Sequence, residues 1–284
     1  MPRLRLSIAC LALAALSWSA GAQPRADPLP PLLAERLLVT WYGNPRSTKM
    51  GILGEVSGAA RAEGLRRQAA AYQELTPKRV LPAYHLVAVV AQCTAGGDGK
   101  WRRRETADVI TGLLDEARAN GFALVLDVQP GHSTVAAEVA ALARYLAEPD
   151  VHLALDPEFT MRTCEVPGRS LGRLLAEDVN AAIDALETVI RAGRLPRKAL
   201  ILHQFTLGML PDKQAIQTSE LVDVVLDMDG FGSRSLKHAT YRAIMRQRPL
   251  PFAGFKLFYR QDTGLFTPAD VMALTPTPSV VIYQ

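Results

Sequence analysis

The sequence lacks several motifs on which enzyme classes depend. It has no Rossmann or P-loop glycine pattern, which argues against a bound nucleotide, and no Gly-x-Ser-x-Gly elbow, which argues against a serine hydrolase. Its five histidines are scattered without metal-ligand spacing. We therefore predict no metal and no other cofactor.

A strong excess of charge of one sign is also missing. The chain has 32 basic and 28 acidic residues, and removal of residues 1–22 takes away only Arg3 and Arg5, which leaves a net charge of +2. A nearly neutral protein gives no reason to expect a nucleic-acid partner. The basic run Arg102–Arg104 is interpreted as a solvated flank.

Long apolar runs are absent after the first segment of the chain. Leu6–Trp18 follows two arginines and precedes small residues that end at Ala22. This order is typical of a secretory signal peptide, and the run is shorter than the ~20 residues that span a bilayer. We predict a signal peptide over residues 1–22, a single domain over residues 23–284, a secreted or periplasmic location, and no stable membrane insertion after cleavage.

Cysteine is scarce, with two residues after position 22. An even pair in an exported protein suggests a disulfide between Cys93 and Cys164, and the alternative is two unrelated buried thiols.

Eight short apolar runs recur between helical patterns. Such near-continuous hydrophobicity is typical of strands that are buried on both faces. Eight strands alternating with helices over about 250 residues favour a (β/α)8 TIM barrel over an open doubly wound sheet. No helix follows the eighth run, and Pro28–Leu33 is expected to cover that gap. The predicted strands are Leu37–Gly43, His85–Gln92, Phe122–Gln129, Val151–Phe159, Ala199–Phe205, Leu221–Phe231, Ala253–Tyr259 and Ser279–Gln284.

Polar residues collect at the ends of these strands, where the functional sites of TIM barrels lie. The sharpest feature is Asp156-Pro157-Glu158, because residues two apart on a strand point to the same face and paired carboxylates separate each other's pKa. Glu158 is the predicted general acid. The further predicted catalytic residues are Asp156, Asp229 and Asp127, and the predicted substrate contacts are Tyr42, Gln129, His203, Gln204, Asp227, Lys256, Tyr259 and Tyr283.

The Asp156-x-Glu158 pair resembles the end of the family 18 chitinase motif and the acidic pair of family 25 lysozymes, in which the glutamate donates the proton. Val151 and Ala154 stand where the chitinase motif has further aspartates, and the seventh strand ends without a glutamate. Other phrases resemble uncharacterised bacterial extracellular proteins with a TIM barrel. They are Tyr42-Gly43-Asn44-Pro45, Met50-Gly51-Ile52-Leu53-Gly54-Glu55, His203-Gln204-Phe205, Asp229-Gly230-Phe231-Gly232 and Gly254-Phe255-Lys256-Leu257-Phe258-Tyr259.

Three functions fit these patterns. The leading one is a secreted glycoside hydrolase that acts on a cell-wall or extracellular polysaccharide, such as a peptidoglycan fragment. The second is a glycan-binding barrel without catalysis, which the missing acids favour. The third is a metal-dependent hydrolase that uses the same aspartates with His203.

Overall fold

Eight parallel strands close into a barrel, which confirms the predicted fold. A computed structural model describes residues 30–247 and 250–284. The first strand pairs with both the second and the last, so the sheet has no open end among the barrel strands. The barrel strands are β1 (Arg36–Gly43), β2 (Arg79–Ala91), β4 (Ala123–Val128), β5 (Val151–Leu155), β6 (Lys198–Gln204), β7 (Val222–Met228), β8 (Phe252–Leu257) and β9 (Val280–Tyr283).

A ninth strand, β3 (Arg102–Arg104), extends β2 as an antiparallel hairpin. The predicted solvated flank is therefore partly structural, because Arg102 and Arg104 both bind the fully buried carboxylate of Glu138 at 2.6–3.0 Å. The second strand also begins at Arg79, well before the predicted start at His85. This shift places His85 in the middle of β2.

Helices alternate with the strands and cover the barrel from outside. Thr134 caps one helix through its side chain. In another helix Thr267 and Asp270 form a capping box, and Pro268 is the first helical residue. No helix follows β9 within the described residues. The helices are α1 (Leu32–Glu35), α2 (Ile52–Glu55), α3 (Gly58–Gln73), α4 (Ala107–Ala119), α5 (Val135–Leu146), α6 (Ala176–Gly193), α7 (Arg234–Gln247) and α8 (Pro268–Met272).

Each barrel strand buries both of its faces. In β1, Leu38 and Tyr42 point into the barrel, whereas Val39 and Trp41 point towards the helices. The inner core includes small residues such as Ala123 and Ala154, and the outer core is the larger one. Burial on both faces explains why the strands are nearly continuous apolar runs in the sequence.

The amino-terminal end of the barrel is closed by α1. Leu33 is buried in the inner core, and its backbone N–H donates to Asp223 at the start of β7 at 2.8 Å. The other oxygen of Asp223 accepts two hydrogen bonds from Arg197. We expected Pro28–Leu33 to cover the gap left by a missing outer helix. For the residues that the structure describes this expectation is wrong, because Leu33 closes the amino-terminal end of the barrel instead.

The predicted signal peptide lies outside the described residues. Among the helices that are described, none has the length and apolarity needed to span a membrane.

Candidate functional site

A cavity of about 700 Å³ opens at the carboxyl-terminal end of the barrel. Its polar lining includes six of the residues predicted from the sequence, and its walls carry aromatic rings that the sequence analysis did not single out. The predicted residues are Tyr42, Gln129, Asp156, Glu158, Asp229 and Lys256, and the added rings are Phe159, Phe205, Phe231 and Phe258.

Asp156 and Glu158 reach the cavity from a turn rather than from a strand. Strand β5 ends at Leu155, and Pro157–Phe159 forms a single 3₁₀ turn. Asp156 caps this turn, since one carboxylate oxygen accepts from the Glu158 N–H at 3.2 Å and the other accepts from Gln129 Nε2 at 3.1 Å. The expected strand alternation is therefore replaced by a cap that fixes the backbone beneath Glu158.

The two carboxyl groups differ from ordinary surface acids in their pKa. Burial, reinforced by the negative charge of Asp127, raises the pKa of Asp156 to about 8. Burial and the charge of Asp229 also raise the pKa of Glu158, against the opposing effect of Lys256. Both environments favour the protonated form, which is the form that donates a proton.

Lys256 supplies a buried positive charge to the cavity. Its ammonium lies 3.1 Å from Asp229 Oδ2 and 3.7 Å from the centre of the Tyr42 ring. Burial opposes this charge, but nearby carboxylates, Asp229 first among them, raise the pKa of Lys256 overall. Lys256 is therefore held as a cation beside Asp229.

A second polar layer lies beneath the cavity. Asp127 was predicted to be catalytic, and His203 and Asp227 were predicted to contact the substrate, but all three are fully buried and none lines the cavity. His203 Nδ1 lies 3.0 Å from Asp227 Oδ2, and His203 Nε2 lies 3.4 Å from Asp127 Oδ2. These residues lie on the inner face of their strands below the mouth, so they can act on the cavity only through other groups.

His85 joins this layer and was missed from the sequence. Its Nε2 lies 3.8 Å from Asp127 Oδ2. The Tyr42 ring contacts both imidazoles edge-on, with ring centres 5.0 Å from His85 and 6.0 Å from His203. The sequence does contain a signal for His85, since it is a polar residue at an inward-facing position of an otherwise apolar strand. The signal was missed because the predicted strand began at His85 itself.

Because Gly254 has no side chain, there is room beside it for the Asp227 carboxylate. A Cβ atom on Gly254 would lie 2.6 Å from Asp227 Oδ1. We expect Gly254→Ala to displace this carboxylate and to lower the free energy of unfolding by about 1–3 kcal/mol, measured by chemical denaturation. Gly112→Ala is the control, because Gly112 lies on the exposed face of α4 with open space around it. That change should stabilise the protein by about 0.5–1 kcal/mol. Equal stability of Gly254→Ala and wild type would contradict this account.

Besides His203 and Asp227, three further predicted substrate contacts lie outside the cavity. Gln204 follows the inward His203 on β6 and therefore points outward, where it binds Lys213 and the Thr206 carbonyl. Tyr283 likewise points outward from β9 and shares a 2.7 Å hydrogen bond with Tyr72. Tyr259 stacks on Tyr283 at 5.3 Å and binds Gln68 at the surface.

The predicted Cys93–Cys164 disulfide is not formed, and both thiols are free and exposed. Cys93 lies in the exposed turn between β2 and β3, because that hairpin carries the chain beyond the end of the barrel strand. Neither the disulfide nor its buried-thiol alternative is therefore correct.

The sequence matches no protein-family model and no curated protein. Solved structures resemble it at low identity. A UMP synthase of Leishmania donovani is 13% identical, with a TM-score of 0.40 over 87% of this chain and 47% of that one, so this chain spans about half its length. An oxaloacetate acetylhydrolase, in complex with 3,3-difluorooxalacetate, is 17% identical, with a TM-score of 0.42 over 87% and 74%.

A GH18 chitinase from Pseudoalteromonas aurantia is 8% identical, with a TM-score of 0.40 over 87% of this chain and 92% of that one. Similarities at this level carry no argument about the reaction. The closed pairing of the eight strands establishes the fold, and the chemistry depends on the groups that line the cavity.

Proposed function

We propose that this protein is a secreted hydrolase of a cell-wall or extracellular polysaccharide and that Glu158 is its general acid. The observation that carries the proposal is the convergence of Asp156, Glu158 and Asp229 on one open cavity with aromatic walls. Hydrolysis of a glycosidic bond needs a carboxylic acid that protonates the leaving oxygen and a second group on the opposite side of the sugar.

Glu158 suits the role of acid because it is half-buried, lines the cavity and has a raised pKa. In the proposed reaction its proton moves to the glycosidic oxygen as the bond from that oxygen to the sugar carbon breaks. Water adds its hydroxyl group to that carbon, and its remaining proton passes to a carboxylate of the site and restores the acid form of Glu158. Asp229 is the second carboxylate, and Lys256 beside it stabilises its charge. Asp156 positions the Glu158 backbone.

The aromatic walls support a carbohydrate substrate. Phe205, Phe231 and Phe258 present apolar surface to the cavity, and the Phe231 side chain is 61% exposed. Sugar rings have apolar faces that pack against such rings, while their hydroxyl groups bind carboxylates and amides. The combination suits a glycan better than a compact anion, since three acids line the same cavity.

A glycan-binding protein without catalysis is the second candidate. The ion pair between Lys256 and Asp229 favours it, because a carboxylate held at 3.1 Å by an ammonium is less available as a base or nucleophile. In that case the cavity would recognise a glycan and release it unchanged.

The first experiment is to measure new reducing ends from peptidoglycan, chitin and exopolysaccharides with residues 23–284. Wild type and Glu158→Gln are compared, each with and without a chelator. Chelator-resistant cleavage by wild type that disappears in the variant supports the proposal. Binding of a glycan without cleavage would replace it with the second candidate, and equal cleavage by both proteins would remove Glu158 from the reaction.

A further inference from the structure

We infer that His85, Asp127 and His203 form a binding site for a divalent transition metal of the zinc class, beneath the floor of the cavity. One nitrogen from each imidazole and one carboxylate oxygen all lie within 4.8 Å of one another. The three residues come from β2, β4 and β6 and are fully buried. This inference goes beyond the proposed function and does not depend on it.

Two of the separations lie near the edge length of a coordination tetrahedron. Zinc bonds of about 2.0–2.2 Å to nitrogen and oxygen place neighbouring ligand atoms about 3.3–3.6 Å apart. Asp127 Oδ2 lies 3.4 Å from His203 Nε2 and 3.8 Å from His85 Nε2. The first distance lies within this range and the second is slightly longer, so a bound ion would draw the His85 ring towards Asp127.

The atoms that would bind the metal are buried and face one another. His85 Nε2, His203 Nε2 and both carboxylate oxygens of Asp127 are buried without a hydrogen-bond partner in residues 30–247 and 250–284. Buried polar atoms in folded proteins are nearly always paired, and a bound ion is one of the few arrangements that satisfies such a group. Three such atoms, one from each residue, lie within 4.8 Å of one another, as the ligands of a single ion would.

The opposite nitrogen of each imidazole has a partner that fixes the ring. His203 Nδ1 lies 3.0 Å from Asp227 Oδ2, and His85 Nδ1 lies 3.5 Å from Thr40 Oγ1. Metal-binding histidines commonly donate this second N–H to a carboxylate or another acceptor, which directs the lone pair of the other nitrogen at the metal. Asp227 is thus assigned as a positioning residue for His203.

The charge of the surroundings also favours a cation. Asp127, Asp227 and Asp229 all lie within ion-pair distance of His203, at 3.0–3.4 Å, and Lys256, the nearby cation, is paired with Asp229 at 3.1 Å. A divalent ion would neutralise part of this buried negative charge. The Tyr42 ring contacts both imidazoles, so the ion would be separated from the cavity by this ring.

The test is titration of the metal-stripped full-length mature protein with Zn²⁺ and with Co²⁺ as a spectroscopic probe, using a purification tag without histidine. We expect one equivalent to bind and the Co²⁺ visible absorption to be that of a four- or five-coordinate ion. Stoichiometric binding should be lost in Asp127→Asn and in His85→Gln. Asp227→Asn should weaken Zn²⁺ binding by roughly 10–100-fold, as outer-shell changes do.

His152→Gln is the matched control. His152 is also buried in the barrel, but it accepts a hydrogen bond from the Ala199 N–H and lies outside the cluster. This variant should keep stoichiometric binding. Circular dichroism checks that each variant folds. If the ligand variants do not fold, X-ray absorption spectroscopy of zinc-loaded wild type tests the inference, and we expect two imidazoles in the coordination shell of the zinc ion.

Failure of folded wild type to bind Zn²⁺ would overturn the inference. Binding that survives both ligand variants, or a zinc shell without two imidazoles, would overturn it equally. None of these readouts involves glycan cleavage. A negative result for hydrolysis would therefore not affect the conclusion about metal binding, and a negative result for metal binding would not affect the conclusion about hydrolysis.

Discussion

Glu158→Gln is expected to lower the rate of glycan cleavage by about 10²–10⁴-fold, the range that general acid catalysis contributes. Glutamine keeps the size of the side chain and cannot donate the proton to the leaving oxygen. Because the backbone N–H of residue 158 still donates to Asp156, the turn should keep its shape. Glycan binding should therefore change little, and the loss should appear in kcat rather than in KM.

The pH profile of glycan cleavage by the wild-type protein provides an independent check of the proposed role of Glu158. The raised pKa of Glu158 keeps the acid form populated above the pH at which an ordinary glutamate has ionised. Activity should therefore persist above the ordinary glutamate pKa and fall as the pH rises through the raised value. Glu165→Gln, on a partly exposed residue of the following loop that does not line the cavity, is the control and should keep both rate and profile. A similar loss in that variant would mean that the effect is not specific to Glu158.

Asp223→Ala is expected to lower the free energy of unfolding by about 3–5 kcal/mol, because it leaves one partner of a buried ion pair alone. Asp223 is fully buried, and its two oxygens accept from Arg197 and from the Leu33 N–H. Removing the carboxylate leaves the guanidinium without its partner and detaches Leu33 from the barrel floor. Urea unfolding of the mature protein measures the change.

Two further variants separate charge from packing at this site. Asp223→Asn keeps an oxygen that can accept from Leu33 but removes the charge, so its loss of stability should be smaller than that of Asp223→Ala. Arg191→Ala breaks an exposed i,i+4 pair with Glu187 and should change stability by no more than about 0.5 kcal/mol. A similarly small effect of Asp223→Ala would show that α1 does not hold the barrel floor.

The local sequence was enough to predict the barrel fold and to identify the end of the barrel at which the cavity opens. Each strand is buried on both faces, so each is apolar along its length, and this requirement is visible in any window of the sequence. The polar residues after the strands, such as Glu158 and Asp229, mark the carboxyl ends for the same reason. The start of α8 was equally local, since its cap, proline and acid are adjacent in the chain.

Tertiary structure alone decided which polar side chains share a site and at what depth. His203 and Gln204 are neighbours in sequence, yet one points into the barrel and the other outward. Asp127 lies on β4 and Asp156 directly follows the adjacent strand β5, but only Asp156 lines the cavity. His85 enters the buried cluster because β2 begins at Arg79 and closes the sheet against β1. Depth and direction depend on the register between strands, and that register is set when the whole barrel closes, by contacts between residues far apart in the chain.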